Sequence, residues 1–336
     1  MAAVKRWLVC MAVAALTVTP LPAAAGRITL ATNMPPRTTW FNALLEMGER
    51  WRQDTQGRVT LNVPAGGVDE ETAVRKMRAD VFQAAFLTPA GLGMLDPSFN
   101  VFSMPFFLES TDEEAAVTAA LTPLVERRLQ PKGFHLLCWG NGGWVQLFSR
   151  RPLHTLADVK KAKLYTSKGD DGWTTWYVAH GFNPVPLTLA DIGPELRKPL
   201  GLIDAAPSPP YGAQMLQIFR DARYMLDIRI APFTGALVIS MAAWRGLSPD
   251  DRVRLTDAAQ SFERRVRVDV AVQDRVAIEA MKERGLQVIH LDANAAGDFH
   301  DAGTELVKSM RGGMVPADIY DAAVAAREDF RKSKGR

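Results

Sequence analysis

The sequence predicts an α/β fold of two lobes with one long helix spanning both, and three observations lead there. Strand-like and helix-like stretches alternate from Arg27 onward, which is the pattern of a mostly parallel sheet with helices on its faces. That alternation restarts in the middle of the chain after an extended stretch at residues 144–148, as expected of a second, similar lobe. From Ser248 to Gly285 the chain carries a single Pro, Pro249, at the first helical position, and no internal Gly. A helix over about 249–284 would be roughly 54 Å long, more than one lobe of this size can accommodate. The 336 residues agree with about two domains.

The elements follow in order. Residues 27–31 alternate as a strand does and stop at Thr32 and Asn33, before Pro35 and Pro36. A helix is predicted over 39–54, with Phe41, Leu44, Leu45, Met47 and Trp51 at helical spacing and Gly57 beyond its end. Residues 58–63 alternate again, and 69–78 return to helix. Ser110 and Glu113 stand at capping-box spacing and open a helix to about residue 129. A third strand at 133–139 is expected to run into a glycine-rich loop at 140–143. After the extended stretch, residues 156–163 read as a helical turn into a strand at 163–166. A helix over 172–180 then sets Trp173 and Trp176 on one face. The second set closes with a strand at 183–187, a Pro-interrupted helix at 189–200 and a strand at 202–206. Met215 and Phe219, at helical spacing, are expected in the core.

Composition narrows the function. Lys5 and Arg6, the apolar run 7–18 and the series Ala23, Ala24, Ala25 have the order of a secretory signal peptide, assigned to residues 1–25. The run is too short to cross about 30 Å of hydrocarbon, so the mature chain from Gly26 is expected in the periplasm and not embedded in the membrane. The full chain has 40 Lys plus Arg against 37 Asp plus Glu, and without Lys5 and Arg6 the balance is 38 against 37. With both signs interspersed, no nucleic-acid partner is expected. Cys10 falls in the leader, which leaves Cys138 as a buried strand residue with no disulfide partner. No H-E-x-x-H, G-x-S-x-G, C-x-x-C or P-loop pattern occurs, and Gly91-x-Gly93 lacks the third glycine of a dinucleotide fingerprint. His290 with Asp292 and His300 with Asp301 match no standard metal-ligand spacing. No enzyme activity, metal or cofactor is therefore expected. An exported hydrolase on this fold is an alternative that no motif supports.

The informative residues are aromatic. Four of the eight tryptophans fall in the middle third, at 139, 144, 173 and 176. Large rings at the edges of clefts give wide apolar contact with few rotatable bonds, and equally they fill cores. Trp139 ends a strand, whereas Trp144 and Trp173 each follow a Gly-containing loop where a side chain can face a cleft.

A series of phrases in fixed order carries a resemblance over roughly 300 residues. It runs from Ala31, Thr32, Asn33 through T-Q-G-R-V-T-L-N-V-P-A-G-G at 55–67 to Met104, Pro105, Phe106, Phe107. It continues with residues 139–143, P-L-H-T-L-A-D-V-K-K-A-K at 152–163, residues 181–186 and Gly201, Leu202, Ile203, Asp204, and closes with residues 237–240, Trp244, Leu247, Ser248 and the long helix. In this the mature chain resembles the DctP-type periplasmic solute-binding proteins of TRAP (tripartite ATP-independent periplasmic) transporters. The resemblance implies a two-lobe periplasmic-binding-protein fold, type II-like, closing on one small organic molecule. It implies as partners the membrane permease subunits that receive that molecule. On this basis lobe I is expected at 26–147 plus about 236–266, and lobe II at 148–235 plus about 267–336.

One departure bears on the ligand. Where acid-binding relatives end the L-K-x-R strand with Arg, this chain has Ala162, Lys163, Leu164, Tyr165, and a second family Arg aligns with Trp144. A carboxylate desolvated without a charged partner costs several kcal/mol. The expected ligand therefore has an apolar or aromatic body, held by rings and neutral hydrogen bonds. The candidate ligand-binding residues are Asn33, Arg37, Trp40, Gln83, Trp144, Gln146, Tyr165, Lys168, Trp173 and Ser208. One alternative is an organic acid held by a relocated cation, Arg37 or Lys168. Another is an exported carrier or sensor of an apolar ligand without a transport role.

Overall fold

The computed structural model describes residues 26–65 and 67–335, so the signal peptide expected at 1–25 lies outside the described residues. Strand β1 (Gly26–Thr32) is followed by α1 (Thr39–Asp54), whose start is fixed by the Thr38 hydroxyl accepting from the Phe41 amide. The helix buries Ala43, Leu44, Met47 and Trp51; of the residues expected on its apolar stripe, Phe41 is only half-buried and Leu45 is exposed, because they lie off the face that Leu44, Met47 and Trp51 share. Then come β2 (Val59–Asn62), α2 (Glu70–Arg78) capped by Asp69, β3 (Ala84–Leu87) and α3 (Pro89–Leu95). Strands β2, β1 and β3 pair in parallel and form the first wing of the sheet. Helix α4 (Thr111–Leu129) starts at Ser110, whose hydroxyl accepts from the Glu113 amide.

The chain next crosses the molecule in β4 (Phe134–Ser149). The loop expected at 140–143 is instead part of this strand. Pairing with a second long strand continues through Gly140 and Asn141, and a register shift between Asn141 and Trp144 takes up the irregularity, with Gly143 at φ +99°. Helix α5 (Leu156–Lys161), β5 (Lys163–Ser167), α6 (Asp171–Ala179), β6 (Asn183–Leu187), α7 (Ile192–Arg197) and β7 (Ala205–Ser208) build the second wing, in which β7, β5 and β6 are parallel. The helix expected at 189–200 is shorter, because Pro199 disfavours helical backbone at Lys198. The strand expected at 202–206 lies at 205–208.

After α8 (Pro210–Met215) the chain returns in β8 (Tyr224–Ser240), 17 residues long, then forms α9 (Met241–Gly246), α10 (Pro249–Lys282), β9 (Gln287–Ile289), α11 (Ala293–Met310) and α12 (Ala317–Ser333). The sheet order is β2-β1-β3-β8-β4-β7-β5-β6, with β9 on β8. At its centre β8 and β4 run antiparallel. Residues 236–239 of β8 pair with β3, and residues 146–149 of β4 pair with β7, so both strands pass from one wing to the other.

Helix α10 joins the wings as well. Leu255, Phe262 and Val266 pack in a core with Ile28, Leu30 and Trp51, while Ala277 and Met281 pack in another with Phe148, Ile203 and Ala206. Its 34 residues span roughly 51 Å, enough to reach both. Cys138 is a buried free thiol. Among the described residues, no helix is long and apolar enough to cross a membrane, and no group of three or more His, Cys, Asp or Glu could hold a metal ion.

Candidate ligand-binding cleft

Parallel strands of an open α/β sheet leave a crevice at their carboxyl ends, where the following loops diverge. Between the wings that crevice is a cavity of about 290 Å³. The first wing lines it with Asn33 and Trp40 after β1, and with Phe86 and Thr88 at the end of β3. The second wing supplies Tyr165, Thr166 and Ser167 from β5, Asp170, Trp173 and Tyr177 from the start of α6, and Ser208 from β7. The crossing strands form the floor with residues 140–142 and Val145 of β4 and residues 230–233 of β8.

Of the sequence candidates, Asn33, Trp40, Tyr165, Trp173 and Ser208 come together in this lining, and Arg37, Gln83, Trp144, Gln146 and Lys168 do not. Arg37 and Lys168 are exposed on their loops. Gln83 is occupied at the other end of the sheet, where its Oε1 accepts from the Thr29 amide and its Nε2 donates to the Asp80 carbonyl. Trp144 and Gln146 flank Val145, and side chains alternate across a strand, so both turn away from the face Val145 presents. The Trp144 ring is buried beneath the guanidinium of Arg229, 5.9 Å from its centroid. Trp139 is core, its indole N–H donating to Thr122 at 2.9 Å. Phe219 is buried as expected, whereas Met215 is 37% exposed and lines the cavity.

The lining contains residues that the sequence did not single out. Tyr177 lies one helical turn past Trp173, with ring centroids 5.6 Å apart, and that spacing was a usable signal. Asp170 stands in the Gly169–Gly172 loop and caps α6, its Oδ1 accepting from the Trp173 amide at 3.3 Å. Phe86 and Phe233 enter because Gly140 and Gly142 make room. A Cβ at Gly140 would stand 2.3 Å from Cζ of Phe86, and one at Gly142 would stand 2.6 Å from Cδ1 of Phe233. Nothing local in the sequence pairs those glycines with those rings.

A shell of buried and half-buried carboxyls stands behind the wall. Glu70 Oε1 accepts from Asn33 Nδ2 at 2.8 Å and from the Thr88 amide at 3.3 Å, which orients two lining residues. Burial pushes this carboxyl up to about 8, so it is largely protonated at neutral pH, and its unpartnered Oε2 is the oxygen left for the proton. Glu114 receives Asn141 Nδ2 and the Thr234 hydroxyl, and burial raises it to about 7. Asp274 of α10 accepts from the Tyr211 amide at 3.0 Å and, again through burial, is raised to about 6. Across the rim, Tyr211 of α8 meets the first wing. Its hydroxyl accepts from the Thr39 amide at 3.2 Å, and its ring packs edge-on to Trp40 at 4.8 Å.

Two wings of parallel sheet, a central pair of crossing strands, a spanning helix and one ring-lined cleft define a two-lobe solute-binding protein. Residues 30–312 match the model of the DctP family, described as bacterial extracellular solute-binding protein, family 7, and the chain belongs to that family. Its members bind substrates and are not enzymes. The 2,3-diketo-L-gulonate-binding periplasmic protein YiaO of Escherichia coli K12 is 29% identical over 235 residues, 68% of this chain and 69% of that one. Among solved structures, DctP7 of Bordetella pertussis, an extracytoplasmic solute receptor binding pyroglutamic acid, superposes with a TM-score of 0.81 at 19% identity, covering 90% of this chain and 99% of that one. A TRAP periplasmic solute-binding protein of Pseudomonas putida F1 with bound D-glucuronate gives 0.78 at 22% identity, with coverage of 89% and 97%. The chain is thus an extracellular solute-binding protein of the DctP family, and its solved neighbours share its two-lobe fold.

Proposed function

We propose that the chain binds a small organic solute with an apolar or aromatic body in this cleft and hands it to a TRAP membrane permease after export through residues 1–25. The observation carrying this reading is the lining itself. Trp40, Phe86, Tyr165, Trp173, Tyr177 and Phe233 surround the cavity, and among the described residues no Lys, Arg or His lines it. Rings offer large contact at low conformational cost, and closing the lobes around them excludes water. Ligand bound only by the closed form shifts the population of that form, and a permease can read that shift. The lobes are taken as 26–147 with about 236–266, and 148–235 with about 267–336.

A screen of organic solutes by melting temperature and tryptophan fluorescence tests this reading. A ligand present at 100 times its Kd adds about 2.7 kcal/mol of stability and is readily seen. Trp173→Ala is expected to weaken that ligand by at least about 1 kcal/mol, and an unchanged affinity would assign the ring to the core alone. The second reading is an organic acid, favoured by the acids bound to the relatives named above. It requires Arg37 or Lys168 to swing inward from solvent. Glucuronate, pyroglutamate and succinate are expected to leave the melting temperature unmoved at millimolar concentration, and micromolar binding of any of them would favour the acid.

A further inference from the structure

Among the described lining residues, Asp170 alone belongs to a strongly acidic or basic type. Among the described residues, one hydrogen bond reaches its carboxylate, from the Trp173 amide to Oδ1, and no Lys, Arg or His forms an ion pair with it. Asp170 lines the cavity together with Tyr165, Trp173 and Tyr177, and its carboxylate caps the first turn of the helix that carries the Trp173 and Tyr177 rings.

We propose that the cavity takes a small amine with an apolar body, its ammonium group paired with Asp170 and set against the rings of Tyr165, Trp173 and Tyr177. This rests on the reading above that the cleft is the binding site, and it specifies the polar end of the cargo. The faces of aromatic rings carry negative quadrupole charge and attract an ammonium, most strongly where water is excluded. A carboxylate with a free oxygen adds a charge-assisted hydrogen bond. A neutral ligand would close over that carboxylate and leave it buried without a partner, and an acid would bring a second negative charge against it. Burial already holds Asp170 at about 6, and a cation beside it would draw that value back down.

Matched ligands on one frame test the proposal with the full mature chain. Phenethylamine, 2-phenylethanol and 3-phenylpropanoate, with the same trio on cyclohexyl and indolyl frames, are titrated calorimetrically into the wild type and Asp170→Asn. Asn caps helices as well as Asp, so α6 keeps its start. The expected result is that the amine binds tightest on at least one frame and loses about tenfold or more in Asp170→Asn, while the alcohol gains affinity, because the variant removes the carboxylate it would otherwise bury without a partner. Tightest binding by an alcohol, with Asp170→Asn indifferent, overturns the ammonium assignment and leaves the apolar-ligand reading standing. Tightest binding by an acid overturns both. Failure of every member to bind overturns the ammonium assignment, and the broad solute screen then decides whether the cleft binds anything.

Discussion

Gly140 and Phe86 show how closely the cleft wall is fitted. A methyl group at position 140 would collide with the ring at 2.3 Å, and the ring lies in a core with Phe262 and Leu237, where it has little room to yield. Gly140→Ala is expected to destabilise the protein by about 1–3 kcal/mol through overpacking. It should also push the Phe86 ring toward the cavity and weaken ligand binding. Chemical denaturation and a ligand titration on the same variant separate the two effects, and a variant unchanged in both would show that the ring moves freely. At this scale the sequence spoke where one residue decides. Tyr165, in the middle of β5, and Trp173, in the first turn of α6, both line the cleft. Trp144 could not be placed the same way, because its direction depends on the pleat phase around a bulge, which follows from pairing with β8 and not from its neighbours in sequence.

Among elements, α8 bears most directly on closure. The Tyr211 hydroxyl takes the Thr39 amide, its ring meets Trp40, and its own amide is held by Asp274 of α10, so one short helix ties the second wing to the first at the rim. Tyr211→Phe keeps the ring contact and removes the hydroxyl. It is expected to cost the closed form about 0.5–1.5 kcal/mol, appearing as faster ligand release in stopped-flow measurements with little change in the unliganded melting temperature. An unaltered release rate would show that the rim bond does not hold the lobes together. Elements with their own end signals were legible, as α1, α4 and α10 show with Thr38, Ser110 and Ser248 at their starts. The crossing strands were legible only in part. Most of β8 is buried on both faces, so the alternation that marks a half-exposed strand is absent, and the glycines of β4 imitate a turn until a neighbour supplies their hydrogen bonds.

For the whole molecule, buried and half-buried carboxyls set an unusual pH response. Glu70, Glu114, Asp170 and Asp274 are all raised by burial, to about 8, 7, 6 and 6. A carboxyl that holds its proton more tightly when folded makes the folded state bind more protons between its unfolded and folded values. Stability therefore rises as pH falls through that window. Between pH 8 and about 5 the unliganded protein should gain stability on acidification. Groups such as Asp251 act in the opposite sense. Its pairing with Arg58 lowers it, and the stability it contributes is lost as pH falls through its folded value, below 3.8. Denaturant midpoints across pH 4 to 9 check the sign, and a maximum at pH 7 to 8 would show that these carboxyls are hydrated in solution.

The placement of α10 also bears on how the chain comes to fold. Ile28, Leu30 and Trp51 leave a ribosome well before Leu237, Ile239, Leu255 and Phe262, which close the core they occupy. At roughly 5–20 residues per second, the partners appear on the order of ten seconds or more after the residues they cover. The first wing therefore has no finished interior during most of synthesis. If the chain is exported as proposed above, a core that closes this late would keep it pliable while it is threaded through a narrow channel.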